Sequence, residues 1–472
     1  MKIIHIAAEC YPAAKVGGLG DVLGALGKYL KLAGHDGGVV IPKHSSKYIL
    51  SHTWEVVFNS KVQLGENSFE YHIYTNSKNE LGFNLFLVDI KGLLNREQVY
   101  GYHDDSIRFI SFQTATLDWI IKTNQFPDVI HVHDHHAALI PFMVKHCAYF
   151  KELKETPTIL TIHNGQYQGA MDWSNNIVLP NWDSKQSGLL DWNNAFNPLA
   201  CGVRCAWKIS TVSVGYLNEL RYQSNGLESL FVAEWNKCIG ILNGIDTQVW
   251  NPESDIAIVQ CYNVSNFEKY KVKNKEILCS QFGLNPEWPL FVFIGRLVWE
   301  KAADIIPQSI NAAFAALGRE LNFLVLGSGD PNIENEFSKI KEGNEGCYNV
   351  YIGYNEELSH MIYAGADFIL MPSRVEPCGL NQLYAMRYGT IPIVNNTGGL
   401  HDTVIDISEY DGYGIKMDTA SENDIVVSIS RAIDLYAQKE TMTKIKKQIM
   451  QLDFSWDKSI NNYINLYKSL TQ

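Results

Sequence analysis

The chain has 472 residues, of which 46% are hydrophobic and 19% are charged, and its formal net charge is −12. This length predicts two globular domains, because a single hydrophobic core rarely serves more than about 300 residues. The acidic balance and the lack of a long basic run argue against nucleic acid or an anionic membrane as the main partner. Nine scattered cysteines predict free thiols in a reducing compartment, which we expect to be the cytoplasm.

Short runs rich in Ile, Val and Leu alternate with segments of helical periodicity along the whole chain. Such runs are typical of strands in parallel sheets that are buried on both faces. About a dozen are present, more than one doubly wound sheet holds, so they predict two α/β domains in tandem. In chain order, the predicted strands lie at residues 2–8, 37–42, 83–89, 128–134, 156–164, 208–213, 238–244, 290–296, 322–331, 349–354, 367–373 and 390–399.

The boundary between the two predicted domains lies in a turn-rich segment, residues 241–255, which contains Asn-Gly, Asn-Pro and Ser-Asp pairs. We place the first domain at residues 1–243 and the second at 244–455. Residues 456–472 carry aromatic and aliphatic side chains at helical spacing and predict an amphipathic helix. We expect this closing helix to pack back on the first domain.

The loop after the first strand, AAKVGGLGDV, is rich in glycine and includes a lysine. In a dinucleotide-binding loop the first glycine follows the strand within a residue or two, and an acidic residue ends the second strand. Here Gly17 follows the strand by nine residues and the second strand ends VVIPKH, which disfavours a nicotinamide site. The loop favours an anionic ligand instead, because it offers Lys15, close approach at Gly17 and Gly18, and free amides at a helix start. A purely structural turn is the alternative.

Histidines and one aspartate cluster in the stretch DVIHVHDHHAAL. The stretch resembles the H-x-H-x-D-H metal signature of the metallo-β-lactamase type, but Asp134 is fourth in the run where that signature has the aspartate fifth. A strand end that carries polar residues into a cleft is favoured, and we predict no metal. His163 lies at the end of the next predicted strand, so we expect it at the same sheet edge as Asp134 and the Lys15 loop, where open α/β sheets bind ligands.

The second half carries two cations and an acid after its strands. Arg296 and Lys301 lie five residues apart after one strand and could clamp a diphosphate, although a solvated pair is the alternative. Glu376 follows a later strand and precedes the Cys378-Gly379-Leu380 run at a predicted helix start, and the pair Gly398-Gly399 forms a second candidate anion nest. These features predict a cleft between two sheets that closes on a sugar or nucleotide diphosphate.

Taken together, the motifs resemble the bacterial glycogen synthases and plant starch synthases, which are retaining glucosyltransferases of the two-domain GT-B fold. The matching segments cover nearly the whole chain in the family's order and include AECYPAAKVGGLGDV, YGYHDDSIRFISF, TIHNGQYQG, GILNGIDTQVWNP, LVLGSGDP, MPSRVEPCGLNQLYAM and TGGLHDTV. The resemblance implies transfer of glucose from ADP-glucose to the non-reducing-end 4-hydroxyl of an α-1,4-glucan such as glycogen. It also implies a site in the cleft between two Rossmann-like domains and no cofactor.

The resemblance further implies a role for each candidate residue. Glu376 would orient the transferred glucose, His163 would meet that glucose from the first domain, and Arg296 and Lys301 would neutralise the leaving diphosphate. Asp134 and Asp21 would lie on the acceptor side. The donor-binding residues would be Lys15, Gly17, Gly18, Asn243, Tyr354, Cys378, Gly379, Leu380, Thr397, Gly398 and Gly399, with Tyr354 packed on the adenine.

The sequence departs from the family pattern at several of these motifs. This chain has Val16 where the family commonly has Thr, His135 where it has Trp, and Ala200 where it has Lys. It has Glu300 in place of the common Gln and Ala302 in place of the common Gly. An arginine that is common in the family near the position of Asn395 is replaced here. Two alternatives therefore stay open: a GT-B transferase with another donor or acceptor, and a glucan-binding relative with weak activity. A phosphorylase is disfavoured, because no motif for a pyridoxal-phosphate lysine is found.

Overall fold

The computed structural model describes residues 1–76, 78 and 80–471, which form two compact units. The first unit contains Met1–Leu242 together with the segment that begins at Trp456, and the second contains Asn243–Ser455. Each unit is built on a large, mainly parallel sheet with helices, which confirms the predicted two α/β domains. In the described part of the chain, no helix is both long enough and apolar enough to cross a membrane.

The strands fall into two large sheets and one short pair. In chain order they are β1 (Lys2–Ile6), β2 (Asp36–Pro42), β3 (Glu55–Leu64), β4 (Asn67–Thr75), β5 (Leu85–Asp89), β6 (Val129–His133), β7 (Thr158–Ile162), β8 (Asp191–Trp192), β9 (Ala195–Phe196), β10 (Lys208–Thr211), β11 (Cys238–Gly240), β12 (Leu290–Leu297), β13 (Asn322–Gly329), β14 (Tyr348–Ile352), β15 (Phe368–Met371), β16 (Ile391–Asn395) and β17 (Ile415–Met417).

Helices connect most of these strands, and Asn, Ser or Asp side chains cap several of them by accepting an N–H of the first turn. They are α1 (Gly18–Leu32), α2 (Lys47–Ser51), α3 (Asp105–Lys122), α4 (Ile140–His146), α5 (Ser187–Leu190), α6 (Pro198–Cys205), α7 (Val214–Glu219), α8 (Glu228–Ala233), α9 (Phe267–Phe282), α10 (Ile306–Leu317), α11 (Pro331–Ile340), α12 (Glu356–Gly365), α13 (Asn381–Arg387), α14 (Gly398–Thr403), α15 (Glu422–Ala437), α16 (Lys439–Met450) and α17 (Trp456–Thr471).

The sheet of the first unit has the order β11-β10-β7-β6-β1-β2-β5-β4-β3. Its neighbours are parallel except at the β3–β4 and β4–β5 pairs. Strands β6 and β7 are buried along their whole length, which is why they read as continuous apolar runs in the sequence. Because β1 lies between β2 and β6, the loops after β1 and β6 leave the sheet at a topological switch point, where ligands of open α/β sheets bind.

The closing helix α17 belongs to the core of the first unit. Trp456, Tyr463 and Tyr467 are buried there, and the Trp456 ring lies 6.4 Å from the ring of Tyr29 on α1. The Tyr467 hydroxyl lies 2.9 Å from Nδ1 of His131 on β6. The last residues of the described chain therefore pack against the strands that carry the histidine cluster.

The sheet of the second unit is parallel, with the order β14-β13-β12-β15-β16-β17. This is the Rossmann order, in which the chain first moves outward from β12 and then crosses to the other side at β15. The switch point of this sheet therefore lies at the carboxyl ends of β12 and β15.

The hairpin β3–β4 and the short strand β17 were not predicted. Residues at one face of β4, Tyr71 and Ile73, are buried, and most of β3 is exposed. The Tyr71 hydroxyl donates to Asp118 Oδ2 on α3 at 2.6 Å. A strand with one exposed face alternates apolar and polar residues, so a search for continuous apolar runs does not detect it.

Asp367, directly before β15, is a buried carboxylate held between two lysines. Lys275 Nζ lies 2.7 Å from its Oδ2, and Lys446 Nζ lies 3.1 Å from its Oδ1. Burial by itself raises the pKa of Asp367, but the two lysine charges outweigh burial and hold this pKa below its ordinary value. The depressed pKa means that the carboxylate stabilises the folded state above about pH 4, the unfolded pKa, and that this contribution is lost as the pH falls further.

We expect Asp367→Asn to lower the free energy of unfolding by about 3–5 kcal/mol at pH 7, because two largely buried lysine charges lose their counter-ion. Urea unfolding followed by fluorescence measures this loss. The matched control is Glu268→Gln, since Glu268 is exposed and lies 3.7 Å from Lys447, and its expected effect is below about 1 kcal/mol. Equal effects of the two substitutions would contradict the prediction.

Candidate active site

Two predicted catalytic residues, Lys301 and Glu376, lie at the switch point of the second sheet. Lys301 is in the turn after β12, and Glu376 is in the loop after the neighbouring strand β15. Lys301 Nζ lies 2.5 Å from Glu376 Oε2, and the Ser373 hydroxyl donates to the same oxygen at 3.0 Å. Glu376 is buried, so the lysine and the serine hold its carboxylate in one position. The two residues that the sequence analysis named separately form one ion pair.

Arg296, in the last residues of β12, presents an exposed side chain at the same edge of the sheet. Among the residues that the structure describes, its guanidinium has no ion-pair or hydrogen-bond partner. The nearby Arg374 differs, because its guanidinium contacts both carboxylate oxygens of Asp304 and the carbonyl of Trp299. Of these two arginines, Arg296 is therefore the one available to an anionic ligand.

The turn that carries Lys301 contains two of the departures from the family pattern. The Glu300 carbonyl accepts the amides of Arg374 at 2.9 Å and Val375 at 3.2 Å, which ties this turn to the loop that carries Glu376 through backbone atoms. Ala302 has φ +55°, in the left-handed region that costs a non-glycine residue about 1–2 kcal/mol. The backbone of the turn therefore explains why glycine is the common residue at position 302.

Gly398 and Gly399 allow two loops to lie against each other. An added Cβ would lie 2.1 Å from the Glu376 carbonyl oxygen at Gly398 and 2.1 Å from the Cys378 carbonyl oxygen at Gly399. The Gly399 amide donates to the Glu376 carbonyl at 3.0 Å. This corrects the expectation of an open nest, because the Gly399 amide already donates to the backbone of the loop that carries Glu376.

The Cys378-Gly379-Leu380 run leads into α13, which is only seven residues long. Burial raises the pKa of the Cys378 thiol to about 12, and hydrogen bonds from Asn243 lower it only in part, so the thiol stays protonated. Gly379 has φ +72°, and an added Cβ would lie 2.4 Å from Gln382 Oε1. The structure thus brings Asn243 and Cys378 together and fixes the backbone conformation of the run. The contact of these residues with a nucleotide-sugar donor stays a prediction.

Tyr354 and Thr397 follow β14 and β16 at the same edge of the second sheet. Tyr354 is 72% exposed, and its hydroxyl donates to Glu356 Oε2 at 2.6 Å. Thr397 is buried at the start of α14. The exposed ring of Tyr354 suits stacking on a flat base, and that role also stays a prediction.

In the first unit, the predicted residues of the glycine loop are close together. Lys15 Nζ lies 2.8 Å from Asp21 Oδ1, and both side chains are about 30% exposed. At Gly17 and Gly18 an added Cβ would meet nothing within 4 Å, so the space above them is open. Lys15 therefore stands beside open space but is paired with the residue predicted for the acceptor side.

Glu9, three residues after β1, is a candidate site residue that the sequence analysis missed. Its Oε2 accepts the amides of Val16 at 2.5 Å and Gly17 at 3.1 Å, and its Oε1 accepts the Tyr100 hydroxyl at 2.5 Å. Burial raises the pKa of Glu9, although these three hydrogen bonds lower it. The expectation that the Gly17 amide is free is therefore wrong, and an acidic residue at the end of a buried strand was the available signal.

Asp134 and His163 are brought together at the ends of β6 and β7. Asp134 has φ +55°, and its Oδ1 accepts the backbone amides of His163 at 2.7 Å and Asn164 at 3.4 Å. Burial lowers the pKa of His163 to about 3, so its ring is neutral at physiological pH. The His163 Nε2 lies 3.0 Å from His133 Nδ1. Asp134 therefore fixes the backbone at His163 and Asn164 by accepting their amides.

A buried histidine cluster lies behind this edge. In the described part of the chain, His5, His131 and His133 form the group of possible metal ligands, with one nitrogen from each within 4.8 Å of the others. The rings of His131 and His133 stack with centroids 4.3 Å apart. Both His131 nitrogens and the Nδ1 of His133 contact groups outside the cluster, and His5 Nδ1 contacts His133 Nε2 within it. The absence of a metal stays a prediction of the sequence analysis.

Asp134 makes the stability of the protein depend on pH. Burial raises its pKa to about 7, although the amides of His163 and Asn164 lower it. Because the folded pKa is raised, the stabilising contribution is complete below the unfolded pKa of about 4 and is lost as the pH rises toward 7. Asp134→Asn removes this titration and keeps an acceptor oxygen, and Asn tolerates the positive φ.

We expect the difference in unfolding free energy between the wild type and Asp134→Asn to change by up to about 4 kcal/mol between pH 4 and pH 7, in favour of the variant at higher pH. Urea titrations at several pH values measure the difference. A difference that is constant over this range would contradict the prediction.

Two Rossmann-type units, the second with an acid–lysine pair and an exposed arginine at its switch point, define a glycosyltransferase of the GT-B fold. Residues 2–233 match the family model of the starch synthase catalytic domain, and residues 274–449 match that of the glycosyl transferases group 1. A glycogen synthase of Flavobacterium johnsoniae is 52% identical over 472 residues, with 100% of both chains covered. The chain therefore belongs to the glycogen synthase and starch synthase family.

Further relatives agree with this assignment. A glycogen synthase of a Hydrogenobaculum species is 37% identical, with 99% of this chain and 98% of the relative covered. The solved catalytic domain of Starch Synthase IV from Arabidopsis thaliana, bound to ADP and acarbose, is 32% identical with a TM-score of 0.90, and covers 100% of this chain and 99% of its own. A sucrose-phosphate synthase from Thermosynechococcus elongatus, at 17% identity and a TM-score of 0.63 over 100% and 99% of the two chains, shares the fold.

Proposed function

We propose that this protein transfers glucose, with retention of the anomeric configuration, from ADP-glucose to the 4-hydroxyl at the non-reducing end of an α-1,4-glucan such as glycogen. The observation that carries the proposal is the 2.5 Å pair of Lys301 and Glu376 at the switch point of the second sheet. The 52% identical relative is a glycogen synthase, and the similar Arabidopsis thaliana structure holds ADP and acarbose. Both relatives support a nucleotide-linked glucose donor and a glucan acceptor.

The first chemical requirement is to stabilise the leaving group. Departure of ADP develops negative charge on the β-phosphate, and fixed cations lower the barrier by stabilising that charge. Arg296 has an exposed guanidinium that suits bidentate phosphate contact, and Lys301 supplies a point charge. We assign these two residues to the leaving diphosphate.

The second requirement is to hold the glucosyl ring while it becomes positively charged. Lys301 and Ser373 both contact Glu376 through Oε2, so Oε1 takes part in neither contact. We assign Oε1 to the hydroxyls of the transferred glucose, where its charge also favours the cationic ring. The acceptor hydroxyl attacks from the face that ADP leaves, and a leaving phosphate oxygen takes its proton, which retains the configuration.

Residues of the first unit complete the proposed roles. We assign Lys15 to the donor phosphates, which requires it to exchange its contact with Asp21 for a ligand, and His163 to the transferred glucose. The scattered cysteines in the sequence are the ground for a cytoplasmic location, which we also propose.

The test is an assay with glycogen and either ADP-glucose or UDP-glucose, without added metal, that follows nucleotide release and glucose incorporation together. We expect incorporation mainly from ADP-glucose, in equal amount to the ADP released. Binding of ADP without incorporation from either donor would overturn the proposal in favour of a glucan-binding relative. Preferred incorporation from UDP-glucose would overturn the assigned donor.

A further inference from the structure

Three histidines form a hydrogen-bonded row that runs from the interior of the first sheet to its edge. His5 Nδ1 lies 3.1 Å from His133 Nε2, and His133 Nδ1 lies 3.0 Å from His163 Nε2. His5 lies within β1, His133 ends β6, and His163 directly follows β7. His5 and His133 are at most 1% exposed. The row therefore connects the buried core to the residue assigned to the glucose.

The chemistry of neutral imidazole restricts how this row is protonated. Burial lowers the pKa values of His5 and His163 to about 3 and that of His133 well below its ordinary value, so each ring carries one N–H near neutral pH. Each of the two contacts needs one hydrogen, and His133 can supply only one of them. Both hydrogen bonds must therefore point in the same direction along the row.

The far end of the row decides which direction is favoured. His5 Nε2 is buried and has no hydrogen-bond partner among the described residues. The neighbouring His131 is not available, because its nitrogens contact the Tyr467 hydroxyl at 2.9 Å and the Thr161 hydroxyl at 2.6 Å. A buried N–H without an acceptor is rarer in proteins than a buried acceptor without a donor. His5 Nε2 therefore carries the lone pair, and His5 Nδ1 carries the hydrogen.

We propose that His5 and His133 are positioning residues that hold His163 as its Nδ1–H tautomer, so that Nδ1 donates a hydrogen bond to an oxygen of the substrate. That this oxygen belongs to the transferred glucose rests on the proposed function. His163 is partly exposed, and its Nδ1 has no partner in the described part of the chain. A neutral donor suits this place, because an imidazolium would repel the positive charge that develops on the glucosyl ring.

The direct test is the tautomer of His163 in the ligand-free wild-type protein. Long-range ¹⁵N–¹H correlation spectra of protein labelled at histidine distinguish the two tautomers, and the His163→Gln spectrum assigns the signal. We expect the hydrogen on Nδ1 of His163 and on Nδ1 of His133. The Nε2–H tautomer at His163 would overturn the inference. This readout does not depend on activity, so it stands even if the assay fails to detect glucose transfer.

Kinetics test the positioning role. We expect His133→Phe to lower kcat about 10-fold or more with little change in the KM for ADP-glucose, as loss of a residue that orients a functional histidine does. His133→Gln has both a donor and an acceptor and is expected to restore most of kcat. The control is His131→Phe, an equally buried histidine with other partners, which should leave kcat and the His163 tautomer unchanged. Equal losses of kcat in His133→Phe and His133→Gln would overturn the positioning role.

Metal analysis distinguishes a hydrogen-bonded row of histidines from a metal-binding site. If His5 and His133 bound a metal, their facing nitrogens would be ligands instead of hydrogen-bond partners. We expect mass spectrometry of the purified protein, with and without added Zn²⁺, to show no stoichiometric metal. One Zn²⁺ per chain, lost in His5→Phe, would overturn the inference.

Discussion

Replacing Lys301 with methionine is expected to reduce the rate of glucose transfer by about two to three orders of magnitude. The ammonium lies 2.5 Å from Glu376 Oε2, so its removal takes a fixed positive charge from the place assigned to the leaving diphosphate. It also leaves the buried carboxylate of Glu376 without its counter-ion. The measurement is kcat and KM for ADP-glucose with glycogen as acceptor.

The same pair offers a stricter test by a double-mutant cycle. We expect Glu376→Gln to cost a similar factor, and the double variant to lose much less than the product of the two single losses, because both residues act as a unit. Lys339→Met is the matched control, since Lys339 forms an exposed pair with Glu336 in the same unit at 2.7 Å. A Lys301→Met variant within threefold of the control would contradict the assignment.

Adding a single methyl group at Gly399 is expected to reduce kcat about 100-fold, although position 399 is not assigned a chemical step. The new Cβ would lie 2.1 Å from the Cys378 carbonyl oxygen and 2.5 Å from the Cys378 Cα, so the backbone must move. That backbone belongs to the loop that places Glu376, whose carbonyl accepts the Gly399 amide. Displacement of a catalytic group by about 1 Å can cost this factor.

The control for Gly399→Ala is Gly188→Ala, since an added Cβ at Gly188 meets nothing within 4 Å. We expect the control to keep full activity and thermal stability, and Gly399→Ala to lose activity by more than its loss of stability explains. Activity is therefore compared at a temperature where thermal unfolding shows both variants folded. Unchanged kcat in Gly399→Ala would show that the contact with the Cys378 loop does not position Glu376.

The strands of the two sheets could be predicted well because most of them are parallel and buried. Such strands, for example β6 and β12, concentrate their apolar residues in short continuous runs that end in polar or glycine residues. The hairpin β3–β4 was missed for the opposite reason. Most of β3 is exposed, and burial at β4 follows every second residue, so the apolar signal is divided along the chain.

The candidate residues could be named from the sequence, but several of their contacts could not. Lys15, Arg296 and Glu376 were named as candidates because each lies in a short contiguous motif. The motif around Lys15 includes Glu9, but its letters do not show that the Glu9 carboxylate accepts the Gly17 amide. In the same way, the Gly398-Gly399 pair was interpreted as an open anion-binding nest. In the structure, glycine is required there because the backbone packs closely against the neighbouring loop.

The sequence by itself determined the fold class and the family and named the candidate site residues, because all three depend on local patterns: buried runs, turn residues and contiguous motifs. Only the tertiary structure decided which polar groups meet. Lys301 and Glu376 are 75 residues apart, and His5 and His133 are 128 residues apart. Whether two polar groups form a hydrogen bond depends on their separation to within tenths of an ångström and on their burial. Those quantities exist only once the strands are packed side by side.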